Sequence, residues 1–214
     1  MSIRAAIFDL DGTLLDSLHV WEKVDADFLS GRGIAIPPDY VDAVGSMGFR
    51  DAAEYTITRF GLTDTPEDLM HEWNEMAVYE YGHSIRLKPH AEAYLRNLRQ
   101  KGIKLAVATG LPRVLYAPAL ENIGITSLFD TVCGVEDAGR SKPHPAVFLL
   151  ATSRLGVKPG ECAIFEDDLA ALAGAKRVGM RTYGVYDAAS TSDWEAMQRI
   201  ADGVVLSFAQ APDI

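Results

Sequence analysis

The feature that most constrains the fold is an alternation of short apolar runs with longer segments of helical periodicity, which becomes regular after Pro89. The runs predict strands and the segments between them predict helices. The predicted strands are 5–8, 103–108, 131–135, 162–165, 181–185 and 204–206, and the predicted helices of this part are 90–101, 112–123, 146–155, 169–178 and 194–200. Strands that alternate with helices form parallel sheets with right-handed crossovers, so the sequence predicts an α/β fold.

Between the first strand and Pro89 the sequence has helical signals only. Ser17 can cap a helix that ends near Gly31 and carries apolar side chains on one face, namely Leu18, Trp21, Val24, Phe28 and Leu29. Further helices are predicted after Pro37-Pro38, over 50–60 and after Thr65-Pro66, where Thr65 is the cap and Pro66 the first helical residue. We therefore predict an all-helical domain at 17–85, inserted into a core formed by 1–16 and 86–214.

Polar side chains stand at the carboxyl ends of the predicted strands, which meet at one edge of a parallel sheet. Asp9 and Asp11 follow the first strand, Thr109 follows the second, Lys142 lies in the loop 136–145, and Glu166-Asp167 follow the fourth. Carboxylates bind a hard cation such as Mg²⁺ through oxygen, while a hydroxyl and an ammonium can hold phosphoryl oxygens. Each residue also has an ordinary interpretation, because Asp-Gly favours turns and a loop lysine is usually solvated.

Composition limits the partners. The chain has 214 residues with 48% hydrophobic content, enough for a sizeable core, and a formal charge of -10. That charge disfavours nucleic acid and anionic membrane surfaces as partners. Without a membrane-length apolar run or a targeting signal, a cytoplasmic protein is expected. Cys133 and Cys162 each lie on a predicted strand, where thiols are usually inert core residues.

With these residues in place, the sequence resembles the haloacid dehalogenase superfamily, in the branch with a helical cap inserted after the first motif. Asp9-Leu10-Asp11-Gly12-Thr13-Leu14 resembles the first motif, and Thr109 the second. Ser141-Lys142-Pro143 resembles the third motif, and Glu166-Asp167 the fourth. Four motifs in order, each at a strand end, are specific where one would be weak. The resemblance implies a Rossmann-like three-layer core with an all-helical cap. The sheet order that it implies places two strands between those of Cys133 and Cys162, too far apart for a disulfide.

The resemblance also implies roles. Asp9 would be the nucleophile that forms an aspartyl-phosphate, and Asp11 the general acid and base. Mg²⁺ would be held by Asp9, the backbone carbonyl of Asp11, Asp167 and Glu166. Thr109, Gly110 and Lys142 would bind the phosphoryl group. Asp168 departs from the family pattern, and we interpret it as a helix N-cap rather than an extra ligand.

Substrate choice would lie in the cap, where the segment 44–50 resembles the substrate-facing loop of relatives. Arg50 either contacts the substrate or is a surface arginine at a helix start. His19 and Trp21 receive no catalytic role from the sequence, although relatives have a histidine near Trp21. The expected partner is a small phosphorylated metabolite. We expect the protein to be a monomer, with a dimer as the alternative.

Several activities can be weighed within this resemblance. Asp11 argues against a dehalogenase, and Arg50 cannot form the imine that a phosphonatase needs. A beta-phosphoglucomutase shares the motifs, but only Arg113 is available after Thr109 to hold a second phosphate. The sequence thus favours a phosphatase for a sugar or polyol phosphate over a phosphomutase. A binding or regulatory module that keeps the fold without the chemistry is the third alternative.

Overall fold

The computed structural model describes residues 2–45, 47, 49–140 and 142–214, and says nothing of the side chains of residues 42, 45 and 135. Ser46, Gly48 and Ser141, which the sequence analysis placed in motif segments, lie outside the described residues. The chain divides into two compact units. Unit 1 contains residues 1–17 and 85–214, and unit 2 contains Leu18–Ser84. Unit 2 is one residue shorter at each end than the segment proposed as the cap.

Unit 1 is built on a six-stranded parallel sheet. Its strands are β1 (Ala5–Phe8), β4 (Lys104–Thr109), β5 (Thr131–Gly134), β6 (Cys162–Glu166), β7 (Arg181–Val185) and β8 (Gly203–Val205). Their order is β5-β4-β1-β6-β7-β8, with every neighbouring pair parallel. This confirms the predicted α/β class. Since β4 and β1 lie between the strands that carry Cys133 and Cys162, the predicted separation is confirmed, and both thiols are free.

Helices connect these strands and cover both faces of the sheet. They are α5 (Ala91–Gln100), α6 (Arg113–Ile123), α7 (Val135–Ala138), α8 (Ala146–Leu155), α9 (Leu169–Arg177) and α10 (Trp194–Ile200). Ile7 belongs to a buried cluster with side chains of α8 and α9, whereas Phe8 contacts Tyr94 of α5 edge to face. Because consecutive strand residues point to opposite faces, the core has the three layers of a Rossmann-like fold.

Two details of unit 1 differ from the sequence prediction. The segment 136–145 was predicted to be a loop, but α7 occupies its beginning, with acidic residues in its first turn. A two-stranded antiparallel ribbon was not predicted at all. It pairs β2 (Leu15–Asp16) with β3 (Arg86–Leu87). Two-residue strands leave too little alternation in the sequence to be recognised.

Unit 2 is helical. Its helices are α1 (His19–Gly31), α2 (Tyr40–Gly45), α3 (Phe49–Phe60) and α4 (Pro66–His83). Thr65 caps α4 in a reciprocal capping box with Asp68, as the Thr-Pro signal predicted. An aromatic cluster joins three of the helices, because Phe49 contacts both Trp21 and Trp73 while Phe28 contacts Trp73. Among the described helices, none is long and apolar enough to cross a membrane.

The start of α1 corrects the prediction that Ser17 caps it. The N-cap is Leu18, without a side-chain hydrogen bond, and the Ser17 hydroxyl donates to the carboxylate of Asp11 instead. The buried face of α1 consists of Val20, Val24, Phe28 and Leu29. Leu18 and Trp21, predicted to lie on that face, are only half-buried.

Candidate active site

The candidate site begins where β1 ends. Asp9 extends the strand, since its N–H donates to the Phe165 carbonyl at 3.0 Å, and its side chain is only 7% exposed. Gly12 then adopts the left-handed conformation, with φ at 68°, which allows the backbone to turn at low steric cost. The N–H groups of Thr13 and Leu15 both return to the Leu10 carbonyl. The Asp-Gly turn is therefore real, and it follows directly on a buried carboxylate.

Lys142 joins two strand ends. Its Nζ donates to Asp9 Oδ1 at 2.6 Å and to Glu166 Oε2 at 2.7 Å. The Lys142 side chain is 13% exposed and the Glu166 side chain 1% exposed, so these are buried charge-assisted hydrogen bonds. The other oxygen of Glu166 accepts the Asp168 N–H at 3.3 Å. Lys142 is thus not the solvated loop lysine of the ordinary interpretation.

Asp167 completes an acidic cluster. Thr13, which is fully buried, donates its hydroxyl to Asp167 Oδ1 at 2.8 Å and so holds the first and fourth motifs together. Each of Asp9, Glu166 and Asp167 has a carboxylate oxygen within 4.8 Å of the others. That span allows the three residues to bind one cation, although Asp9 lies more than 150 positions before the other two in the sequence.

The protonation of this cluster reflects its burial. Burial raises the pKa of Asp9, while the ammonium of Lys142 opposes this effect. Burial and the charge of Asp9 raise the pKa of Glu166 well above its usual range, and the same two causes raise the pKa of Asp167 to about 7. Burial alone lowers the pKa of Lys142, but the charges of Asp9 and Glu166 outweigh it and the net shift is upward.

A divalent cation fits this set of donors. The three carboxylates carry three negative charges when ionised, and Lys142 returns one positive charge. The excess of like charge in a buried place is what raises the carboxyl pKa values. Mg²⁺ prefers a few carboxylate oxygens, water and substrate phosphate, and its two charges would balance the excess.

Asp11 lies beside this cluster and is held separately. The Ser17 hydroxyl donates to Asp11 Oδ1 at 2.6 Å, and Ser17 is fully buried. Ser17 follows the ribbon strand β2 directly, so the position of the Asp11 carboxylate depends on the ribbon. This hydrogen bond holds the Asp11 carboxylate in one orientation. The sequence offered no signal for this contact, because Ser17 resembled a helix cap.

Thr109 and its neighbours follow the adjacent strand, β4. Thr109 is buried, and its Oγ1 accepts the Leu111 N–H at 3.0 Å, which leaves the hydroxyl hydrogen for another acceptor. Gly110 is exposed next to it. Arg113 begins α6 with an exposed side chain, and its backbone N–H donates to Glu136 Oε2 at 3.5 Å.

Arg50 belongs to unit 2 and is paired within that unit. Its guanidinium contacts Glu67 and lies 3.9 Å from Glu54, and its side chain is about half exposed. These contacts agree with a surface arginine at a helix start. Residues 46 and 48 of the segment 44–50 lie outside the described part of the chain.

Two further contacts lie near the strand ends, one of them predicted from the sequence and the other missed. Asp168 caps α9, as predicted, by accepting the Ala171 N–H on Oδ1 at 2.6 Å. Lys88, however, was not recognised. Its Nζ donates to the Tyr186 carbonyl and to Asp187 Oδ2, both at 2.9 Å, and both side chains are nearly buried. Lys88 follows β3 and Asp187 follows β7, so no local pattern connects the two residues.

The comparison with protein families decides the membership of the chain. The family model described as haloacid dehalogenase-like hydrolase matches residues 3–179, which include every residue of the acidic cluster. The chain is a haloacid dehalogenase-like hydrolase. The resemblance inferred from the four motifs is therefore confirmed.

Relatives of this hydrolase cover most of its length. Validoxylamine A 7'-phosphate phosphatase of Streptomyces hygroscopicus is 28% identical, over 91% of this chain and 89% of its own. Hexitol phosphatase B of Escherichia coli is 26% identical, over 84% of this chain and 82% of its own. The crystal structure of beta-phosphoglucomutase from Clostridium difficile superposes with a TM-score of 0.74 at 22% identity, covering 98% of this chain and 93% of its own. At that identity the structural likeness establishes the fold only.

Proposed function

We propose that this hydrolase is an Mg²⁺-dependent phosphoric monoester hydrolase that acts on a small phosphorylated metabolite through an aspartyl-phosphate. The observation that carries the proposal is the position of Lys142, whose ammonium bridges Asp9 and Glu166 beside Asp167. Folding alone does not require three buried acids beside one lysine, because burying charged groups costs free energy. A site for a cation and a phosphoryl group gives the cluster a purpose.

In the proposed first step, a carboxylate oxygen of Asp9 attacks phosphorus and the bond from phosphorus to the leaving alkoxide breaks. Asp11 donates its proton to the leaving oxygen. Water then attacks the phosphorus of the aspartyl-phosphate, and Asp11 takes a proton from that water. The bond between phosphorus and the Asp9 oxygen breaks, which releases inorganic phosphate and restores the Asp9 carboxylate. The Ser17 hydroxyl keeps Asp11 oriented through both steps.

Other residues stabilise the charge that develops on the phosphoryl oxygens. Lys142 supplies a fixed positive charge, and the hydroxyl of Thr109 and the N–H of Gly110 supply hydrogen bonds. The residues that would hold Mg²⁺ are Asp9, Glu166 and Asp167 with the backbone carbonyl of Asp11. When bound, the ion neutralises the carboxylates and allows an anionic nucleophile and an anionic phosphate to approach each other.

The substrate class follows from the relatives and from unit 2. Two relatives carry names of phosphatases for a hexitol and for validoxylamine A 7'-phosphate. We therefore propose a sugar or polyol phosphate as substrate, with the leaving group selected by unit 2 acting as a cap. Arg50 is a candidate for substrate contact only if its pairs with Glu67 and Glu54 open. Its exposure makes such a change inexpensive.

The test is a panel of phosphorylated sugars, polyols and small acids, assayed with and without Mg²⁺. The wild-type protein is expected to release inorganic phosphate only with Mg²⁺, and Asp9→Asn is expected to abolish the release. Asp193→Asn is the matched control, because this exposed aspartate makes no side-chain cap bond at the start of α10. Release that persists in Asp9→Asn would refute the proposed nucleophile.

A phosphomutase is the second candidate, because the same site can return the phosphoryl group to a sugar. Arg113 would have to hold a second phosphate, and its exposed position at the start of α6 permits this. Hexose monophosphate isomers would then interconvert in the presence of a trace of hexose bisphosphate. Net release of phosphate without interconversion would exclude this candidate.

A further inference from the structure

The loop that carries Lys142 rests directly on helix α9. Gly174 lies in the middle of α9 and is buried. A Cβ built on Gly174 would lie 2.3 Å from the carbonyl oxygen of Pro143 and 3.3 Å from its carbonyl carbon. Pro143 is the residue after Lys142. The backbone of the loop and the backbone of the helix therefore meet at a point where no side chain fits.

A second contact holds the same carbonyl. Arg177 lies one turn after Gly174, and its Nη2 donates to the Pro143 oxygen at 3.4 Å. The same helix begins at the Asp168 cap, immediately after Glu166 and Asp167. Helix α9 thus carries the two acids of the fourth motif at its start and supports the lysine loop along its side.

Glycine in the interior of a helix requires a reason, because it is less favourable there than alanine by about 1 kcal/mol. An alanine methyl needs about 1 Å more separation from the Pro143 oxygen than the structure provides, given contact distances of roughly 3.5 Å. The added methyl group would be fixed to the helix backbone and would clash with the backbone carbonyl of Pro143, so rotation of a flexible side chain cannot relieve the clash. The loop would have to move away from α9.

We propose that Gly174 is a positioning residue for Lys142, and that its missing side chain sets the distance between the Lys142 ammonium and the carboxylates of Asp9 and Glu166. The inference rests on the proposed function for its effect on turnover, although the effect on the position of Lys142 is independent of it. A displacement of about 1 Å at a catalytic group can lower a rate roughly 10²-fold.

The experiment compares Gly174→Ala with Gly31→Ala, which makes the same change at the helical glycine ending α1, where a Cβ would meet nothing within 4 Å. For Gly174→Ala we expect kcat to fall about 10- to 100-fold. Calorimetry with inorganic phosphate in saturating Mg²⁺ should show about tenfold weaker binding, since a charge contact to phosphate is lost. Mg²⁺ affinity should not fall, because its proposed carboxylate ligands stay in place and lose part of the positive charge that competes with the ion. Gly31→Ala should match the wild type in all three.

A crystal structure of Gly174→Ala measures the displacement without reference to turnover. We expect the Pro143 carbonyl to move by about 1 Å and the Lys142 ammonium to lose hydrogen-bonding distance to at least one carboxylate. An unmoved lysine would overturn the inference even if activity fell. An inactive wild type with a displaced lysine in the variant would refute the proposed function and leave the inference standing.

Arg177→Ala decides the matter if Gly174→Ala does not fold. This variant removes the other contact to the Pro143 oxygen and adds no atoms. A several-fold lower kcat and weaker phosphate binding with unchanged Mg²⁺ affinity are expected. A wild-type kcat together with wild-type phosphate affinity would show that α9 does not position the lysine. Equal losses of phosphate affinity and Mg²⁺ affinity would show the same.

Discussion

The strand ends of unit 1 and the helices of unit 2 use the same charged residue types in opposite ways. In unit 2, Arg32 pairs with Glu72 at 2.6 Å and Arg59 with Asp39 at 2.8 Å, so that most acids there meet a partner near water. At the strand ends, three acids lie together and one buried lysine pairs with two of them, Asp9 and Glu166. Exposed pairs contribute little to stability in either direction, whereas a buried excess of one sign opposes folding. Charges in unit 2 are thus often compensated in pairs, whereas the acids at the strand ends form a buried excess of negative charge.

The largest expected effect separates these two kinds of acid. Asp9→Asn should reduce phosphate release by about 10⁴-fold or more, since removal of a nucleophile eliminates the covalent route. The corresponding change in unit 2, Asp39→Asn, should leave turnover within about twofold, because it breaks only an exposed pair. Steady-state kinetics with saturating Mg²⁺ measures both. A strong loss in Asp39→Asn would mean that the comparison between the units is wrong.

The next effect concerns stability. Lys142→Ala leaves Asp9 and Glu166 buried without their counter-charge, which should lower the free energy of unfolding of the metal-free protein by about 3–5 kcal/mol. Saturating Mg²⁺ should restore part of the loss. Urea unfolding in the presence of a chelator measures the loss, and urea unfolding in Mg²⁺ measures how much of it is restored. Arg96→Ala, at the exposed pair with Glu92, should hardly move the unfolding midpoint. Equal shifts in both variants would contradict the account.

A smaller effect should appear as pH dependence. Burial and the charge of Asp9 raise the pKa of Asp167 to about 7, so between pH 4 and 7 the folded, metal-free protein binds more protons than the unfolded chain. Its free energy of unfolding should therefore fall as pH rises through this window, by about 2–4 kcal/mol at this residue. The difference between wild type and Asp167→Asn, measured in chelator at pH 5 and pH 8, isolates the contribution. A difference independent of pH would show that Asp167 is already ionised at pH 5.

The smallest effect lies in unit 2, where Asp25 is an exception to the pattern of paired acids. Burial, with a lesser contribution from Glu22, raises the pKa of Asp25 to about 6. The stability linked to its protonated form is present at pH 4 and lost as pH rises through 6. Asp25→Asn should therefore stabilise the protein by about 1 kcal/mol at pH 8, after allowance for solvent screening, and not at pH 4. Thermal unfolding at the two pH values tests this, and stabilisation at both would indicate another cause.

The sequence predicted much of the core because the relevant signals are local. The alternation after Pro89 predicted the strands, and the rule that parallel strands end at one edge placed Asp9, Thr109 and Glu166 at that edge. Thr65-Pro66 gave the start of α4 because a capping box needs only four residues. These features depend on neighbours in sequence or on a general property of sheets.

What the sequence could not predict depends on contacts between distant residues. Ser17 has the properties of a helix cap, and only the ribbon of β2 and β3 turns its hydroxyl towards Asp11. The pair of Lys88 and Asp187 joins two loops 99 positions apart. Gly174 is an ordinary glycine in a small-residue helix until the Pro143 carbonyl is placed against it. No periodicity or propensity encodes such contacts.

The central claim is that the strand-end acids form one cation site. Calorimetric titration of Mg²⁺ into the metal-free protein at pH 7 tests it most directly. The account predicts a single site, release of protons on binding because the pKa of Asp167 is about 7, and an affinity at least about tenfold weaker in Asp167→Asn but unchanged in Asp193→Asn. Binding of equal strength in both variants, or no binding by the wild type, would contradict it.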